Sequence, residues 1–67
     1  MEIDVYLSKG IAYANLDKLD NAKTQFEKAL KVNRASGLAY FHLGSIALLQ
    51  GEVALGLENY NMAISNG

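Results

Sequence analysis

His42 is the only imidazole in this 67-residue sequence, so any acid–base or nucleophilic chemistry near neutral pH would have to pass through it. Ser8, Ser36, Ser45 and Ser65 are the available hydroxyl nucleophiles. A serine needs a base within hydrogen-bond reach and a third group to orient that base. No carboxylate is spaced to orient His42, and Asp17 and Asp20 flank a turn, where helix capping accounts for both. His42 itself is predicted to lie exposed on the surface. The chain has no cysteine, hence no disulfide framework and no thiolate ligands. A single histidine cannot build an imidazole metal cluster within one chain. Gly51 and Gly56 are isolated glycines and form no phosphate-cradling loop. The residues therefore point to no catalytic group, no cofactor and no metal, and the chain is not expected to be an enzyme.

Charge narrows the partners. The net charge is −1, whereas nucleic-acid-binding domains are usually clearly basic. The N-terminus, Met1-Glu2-Ile3-Asp4, lacks the basic-then-apolar layout of a signal peptide. The longest uncharged stretch, residues 35–51, contains His42, Ser45 and Gln50 and is too short and polar to span a bilayer. It fits a buried helix instead, and a cytoplasmic location is expected. A chain of this size buries roughly 60% of the surface it would expose unfolded, so its stability is marginal. With neither disulfide nor metal as a staple, oligomerisation or a neighbouring segment is the expected supplement.

The elements that would carry these residues are helices. There is no proline, and apolar residues recur at helical spacing throughout. The first helix is predicted over residues 3–16, with its apolar or small residues at 3, 6, 7, 10, 11, 13 and 14. The second, over 20–33, has Asp20 as its N-cap and places Ala22, Phe26, Ala29 and Leu30 on one stripe. Lys23, Glu27 and Lys31 stand four apart on the opposite, solvated side, supporting one another by a few tenths of a kcal/mol per pair. Ser36 is the predicted N-cap of a third helix over 37–50, which Gly51 ends in the left-handed conformation. The fourth covers 52–65 and contains Gly56, which costs roughly 1 kcal/mol of helix propensity and so marks close helix packing. Two antiparallel helix pairs result, joined by a short loop at Asn33-Arg34-Ala35.

The pairs are copies of one another. The shift that lays Tyr6 on Tyr40 also lays Gly10 on Gly44, Ala12 on Ile46, Phe26 on Tyr60, Ala29 on Ala63 and Leu30 on Ile64. A period of this length signals an array of supersecondary units. Such arrays usually present a surface to partners.

Tyr6, Gly10, Tyr13, Ala22, Phe26 and Ala29 in the first unit, and Tyr40, Leu43, Gly44, Gly56, Tyr60 and Ala63 in the second, stand at the spacings of the tetratricopeptide repeat, which this chain resembles over essentially its whole length. The resemblance implies an all-α fold of tandem antiparallel helix hairpins stacked as an α-solenoid. The expected organisation is one helical-repeat domain, 1–67, with unit one at about 3–34 and unit two at about 37–67. The small residues at 10, 22, 29, 44, 56 and 63 would let helices approach, and the aromatics at 6, 13, 26, 40 and 60 would fill the space between them as core. The chain departs from the family pattern at three places. Lys9 replaces a leucine, consistent with the start of an array. Arg34 replaces a proline, which loosens the break between units. Ala47 replaces a tyrosine, which predicts thinner packing between the third and fourth helices. The polar capping helix that the family commonly adds is not present before Asn66-Gly67.

By position, the resemblance implies a concave partner-binding face at Leu7, Ile11, Ala14 and Asn15 in unit one and at Leu38, Phe41, Ser45, Leu48 and Leu49 in unit two. The spacing of three and four puts each set along one helical stripe. Family members that grip a terminal carboxylate use lysine and asparagine where this chain has Leu7, Ile11, Phe41 and Ser45, so that clamp is not expected. An apolar or amphipathic peptide helix laid in a groove is the expected ligand. A second expectation comes from charge. All six bases lie in residues 1–34 against five acids, leaving unit one at +1, while Glu52 and Glu58 are the only charges of unit two. A solvated helix pair normally carries more. Leu55, Leu57 and Met62 stand where unit one has Asn21, Lys23 and Lys28. This apolar stripe should meet a further repeat, a capping helix or another copy of the chain, making self-assembly the alternative. RNA binding would require a basic face, and the concave stripe contains no lysine or arginine.

Overall fold

All four expected helices form, their ends within one residue of the predicted positions: α1 Glu2–Asn15, α2 Leu19–Val32, α3 Gly37–Leu49 and α4 Val53–Asn66. The structure is a computed structural model and describes residues 2–66. Met1, at the acidic N-terminus, and Gly67, at the end of unit two, lie outside the described residues. No strand occurs among those described.

The bends that fold each pair of helices back on itself share one geometry. After α1, the Asp17 amide donates to the Ala14 carbonyl at 3.0 Å and the Lys18 amide to the Tyr13 carbonyl at 2.9 Å. At the equivalent place in unit two, the Gly51 amide donates to Leu48 at 3.1 Å and the Glu52 amide to Ala47 at 2.8 Å. This pair of bonds satisfies the last carbonyls of a helix by placing one residue in the left-handed region. That residue is Gly51, φ 81°, in unit two and Asp17, φ 61°, in unit one. Asp17 thus shapes the bend through its backbone, a role its expected use as a cap did not include.

Asp20 does not cap α2. Lys18 holds the N-cap position, and no side chain accepts a hydrogen bond there. The helix starts one residue earlier than predicted because Leu19 packs against the core, which draws Asp20 into the first turn. Its charge still suits the positive end of the helix. Its carboxylate accepts from the Gln50 side chain at 3.3 Å, a link from unit two back to unit one. Ser36 caps α3 as expected, its hydroxyl accepting from the Ala39 amide at 3.2 Å. Between the units Asn33 supplies the break that proline would have made. Its backbone is extended, and its side-chain oxygen accepts from the Ala35 amide at 3.0 Å.

The core joins Ala22 and Phe26 of α2 to Leu43 and Ile46 of α3, with Leu7, Tyr13, Ala14, Leu19 and Leu30 packed around them. Phe26 is wholly buried. A Cβ on Gly10 would come within 2.6 Å of its ring, so glycine there lets α1 lie directly on the aromatic. In unit two, Gly44 and Gly56 bring two backbones together: a Cβ on Gly56 would be 3.1 Å from the Gly44 carbonyl oxygen. For this reason the predicted thinning at Ala47 does not occur, and α3 packs on α4 as extensively as α1 on α2. The α2–α3 contact is smaller and the α1–α3 contact slight. The four helices form a slab of 31 × 28 × 14 Å, too thin to bury both wide faces, and many apolar side chains stay exposed.

Candidate functional site

The first turns of α3 and the last turns of α4 diverge around an open cavity of about 900 Å³. Leu38 and Phe41 line it from α3; Tyr60, Ala63 and Ile64 line it from α4; and the loop between the units closes one end. The helical periodicity of both segments places these residues on facing sides. Beside Phe41, the Tyr60 ring lies 5.6 Å away at 34°. The Ser45 hydroxyl donates to the Phe41 carbonyl at 3.2 Å, so at 2.9 Å from Ser45 the Tyr60 hydroxyl is the donor. Tyr60 is thereby held at its tip and on its face, leaving the other side of the ring toward the cavity. No lysine or arginine lines this wall. What it offers chemically is apolar area and a few backbone and hydroxyl groups.

The residues expected on the concave face, one set along α1 and one along α3, take several positions. Leu38 and Phe41 line the cavity, and Ser45 supports it through Tyr60. Leu48 lies over the backbone of Gly56. Leu7 and Ala14 turn into the core. Ile11, Asn15 and Leu49 are exposed and do not line the cavity. Tyr60, Ala63 and Ile64 of α4 were absent from the sequence-derived set. The internal repeat contained the signal for them, since they stand one period beyond Phe26, Ala29 and Leu30. Of the apolar residues predicted for self-association, Leu57 and Met62 are exposed, and Leu55, also exposed, edges a smaller cavity of about 240 Å³ that α2 and α4 flank over Leu43, Ile46 and Ala47 of α3 and that Lys23, Glu27 and Asn59 share.

His42 is not the exposed residue that was predicted. Its ring lies flat on Phe26, centroids 4.9 Å apart and planes 9° from parallel, with Phe41 edge-on at 5.4 Å. It is half-buried because it shares the side of α3 that carries Ala39, Leu43 and Ile46 to α2. Burial pushes its imidazole below the ordinary value of 6.5 by penalising the charged form. Among the described residues, no three His, Cys, Asp or Glu side chains gather as metal ligands, and no helix is long and apolar enough to cross a membrane.

Comparison with known proteins agrees with this architecture. The sequence pattern described as Tetratricopeptide repeat matches residues 3–36. The BBSome complex member BBS4 of Bos taurus is 38% identical over 55 residues, covering 82% of this chain and 10% of that protein. The BBSome complex member BBS4 of Mus musculus is 36% identical over the same length and coverage. The chain therefore spans about a tenth of the length of the curated relatives it matches. With four helices in two hairpins that repeat one another in sequence, and the family pattern matched across the first of them, the chain belongs to the tetratricopeptide repeat family, whose repeats generally mediate protein–protein interaction.

Proposed function

We propose that the chain is a protein-interaction module, a scaffold or adaptor that holds an apolar or helical segment of a partner in a groove bordered by α3, with residues 1–67 acting as one helical-repeat domain. The observation that carries this reading is Phe41, a ring 49% exposed beside Leu38 and Leu48 in a segment with no charged side chain. An aromatic set among aliphatics with no charge nearby is the composition of an interface centre. The surface of α1 that carries Ile11 and Asn15 would extend the contact. The matched relatives are named as members of a complex, which fits a role in holding proteins together. In this reading the chain supplies no catalytic group, cofactor or metal, and its ligand is a protein, not a nucleic acid.

The test is to pan a library of helical peptides against the chain and against a Phe41→Ala/Leu48→Ala double variant. Enriched peptides should carry apolar residues three and four apart and should bind the variant at least ten-fold more weakly, with helicity by circular dichroism retained. An unchanged affinity would remove the groove.

A second reading, self-assembly, is favoured by the exposed apolar side chains Leu55, Leu57 and Met62 on α4. Sedimentation over a range of concentrations decides it, and a monomer throughout would end it.

A further inference from the structure

Unit one has a ring where unit two has none. Tyr13 of α1 packs against the core, and one repeat later the same position is Ala47 of α3. The backbone is alike at both places. The Tyr13 carbonyl accepts from the Lys18 amide at 2.9 Å, and the Ala47 carbonyl accepts from the Glu52 amide at 2.8 Å. The two Cβ atoms therefore set out in equivalent directions from their helices. Gly44 and Gly56 hold α4 close to α3, so the lost ring does not loosen that hairpin. Its volume shows instead in the cavity of about 240 Å³ that α2 and α4 flank, where Ala47 forms the floor with Leu43 and Ile46. All three floor residues are buried. The walls come from residues 23–59 alone, so the cavity needs no neighbouring repeat to form. We propose that it is a binding site for one neutral aromatic ring with a hydroxyl at its edge, a small phenol that takes the place of the side chain missing from α3. This proposal does not depend on the interaction reading above.

Size and chemistry both favour this ligand. An apolar cavity of about 150 Å³ in a protein core is enough to take benzene. The present one has room for a ring and a few further atoms, and too little for a helix. Its floor is aliphatic, which suits the face of a ring. Its rim is not. The carboxamides of Gln50 and Asn59 stand there and can each donate or accept, as a phenol hydroxyl can. The Gln50 amide nitrogen donates to Asp20 at 3.3 Å, which leaves the Gln50 oxygen to accept from an incoming hydroxyl. The rim charges have both signs, Lys23 against Glu27 and Glu52, so a neutral molecule is favoured over an ion. Because α2 belongs to unit one and α3 and α4 to unit two, an occupant would touch both hairpins. It would bind the folded chain and not the unfolded one, and so raise the melting temperature.

The test titrates p-cresol into the isotopically labelled chain and follows the amide resonances by nuclear magnetic resonance. Saturable shifts are expected at Leu43, Ala47 and Asn59, at about millimolar affinity for so small a molecule. Ala47→Tyr restores the ring, so it should raise the melting temperature and weaken p-cresol by roughly ten-fold or more. If that variant fails to fold, Ala47→Leu fills the floor in part and should weaken p-cresol in the same direction. Toluene, which has the same shape without the hydroxyl, should bind less tightly than p-cresol. No saturation up to the solubility of p-cresol would overturn the site, as would binding that survives refilling of the floor. Loss of the shifts in Ile64→Glu would place the probe in the larger cavity between α3 and α4 and overturn it too. Equal affinity for toluene would reduce the cavity to an unselective apolar void and end the assignment of a phenol.

Discussion

In unit one the ring of Phe26 lies between Gly10 of α1 and His42 of α3; in unit two the ring of Tyr60, its repeat equivalent, has α3 on one side and solvent on the other. The residue types follow the difference. A fully enclosed ring has no place for a hydroxyl without a partner, whereas a half-covered ring can keep one tied to Ser45. Charge follows it too: unit one carries eleven charged side chains and unit two only two, both acids. The two hairpins are alike in backbone and differ in what each is built to have lying against it.

The largest expected effect comes from truncating the two rings. Phe26→Ala removes a sealed aromatic and should cost about 3–5 kcal/mol, enough to unfold a domain this small. Tyr60→Ala removes a half-covered one and should cost no more than about half as much, leaving a cooperative melt. Urea denaturation of both variants checks the ranking, and equal losses would mean that Tyr60 is as enclosed as its counterpart. The bends give a smaller contrast. Gly51→Ala places a Cβ in the left-handed region and should lower stability by about 1 kcal/mol, although nothing lies within 4 Å of the site. Asp17→Gly, at the equivalent position, should be neutral or slightly stabilising. A loss like that of Gly51→Ala would show that the Asp17 side chain, and not the backbone, holds the first bend.

The smallest effect concerns pH. The imidazole of His42 has a folded-state pKa below its ordinary 6.5, so between those values the unfolded chain binds the proton more readily. The associated stability is fully present above 6.5 and is lost as pH falls from there through the lowered value. His42→Gln should flatten the change in melting temperature between about pH 7 and 5. A slope identical to that of the parent chain would mean that the stack on Phe26 tolerates the charged ring.

Helix number, order and bends were legible because they depend on local signals: apolar spacing, Ser36, Gly51 and the echo of unit one in unit two. Phe26 was legible as core for the same reason, since its stripe of Ala22, Ala29 and Leu30 is continuous in sequence. His42 was not, because its burial depends on which side of α3 meets α2, a matter of how one hairpin lies on the next. Asp17 was obscured by the ease with which aspartate serves as a cap. The α4 side of the candidate site was missed for a different reason. Family position directs attention to the first helix of each unit, while Tyr60, Ala63 and Ile64 belong to the second helix and line a wall only because α3 and α4 diverge around it.

The contact between α2 and α3 is slighter than the packing inside either hairpin. Each hairpin is also made of partners near in sequence, so its internal contacts can form early, while the core of Phe26, Leu43 and Ile46 is completed only when the pair docks. Opening along that seam would wet the Phe26–His42 stack. A ligand gripping only unit two would leave this breathing unchanged, whereas one bridging both units would quiet it, and amide hydrogen exchange in α2 would tell the two apart.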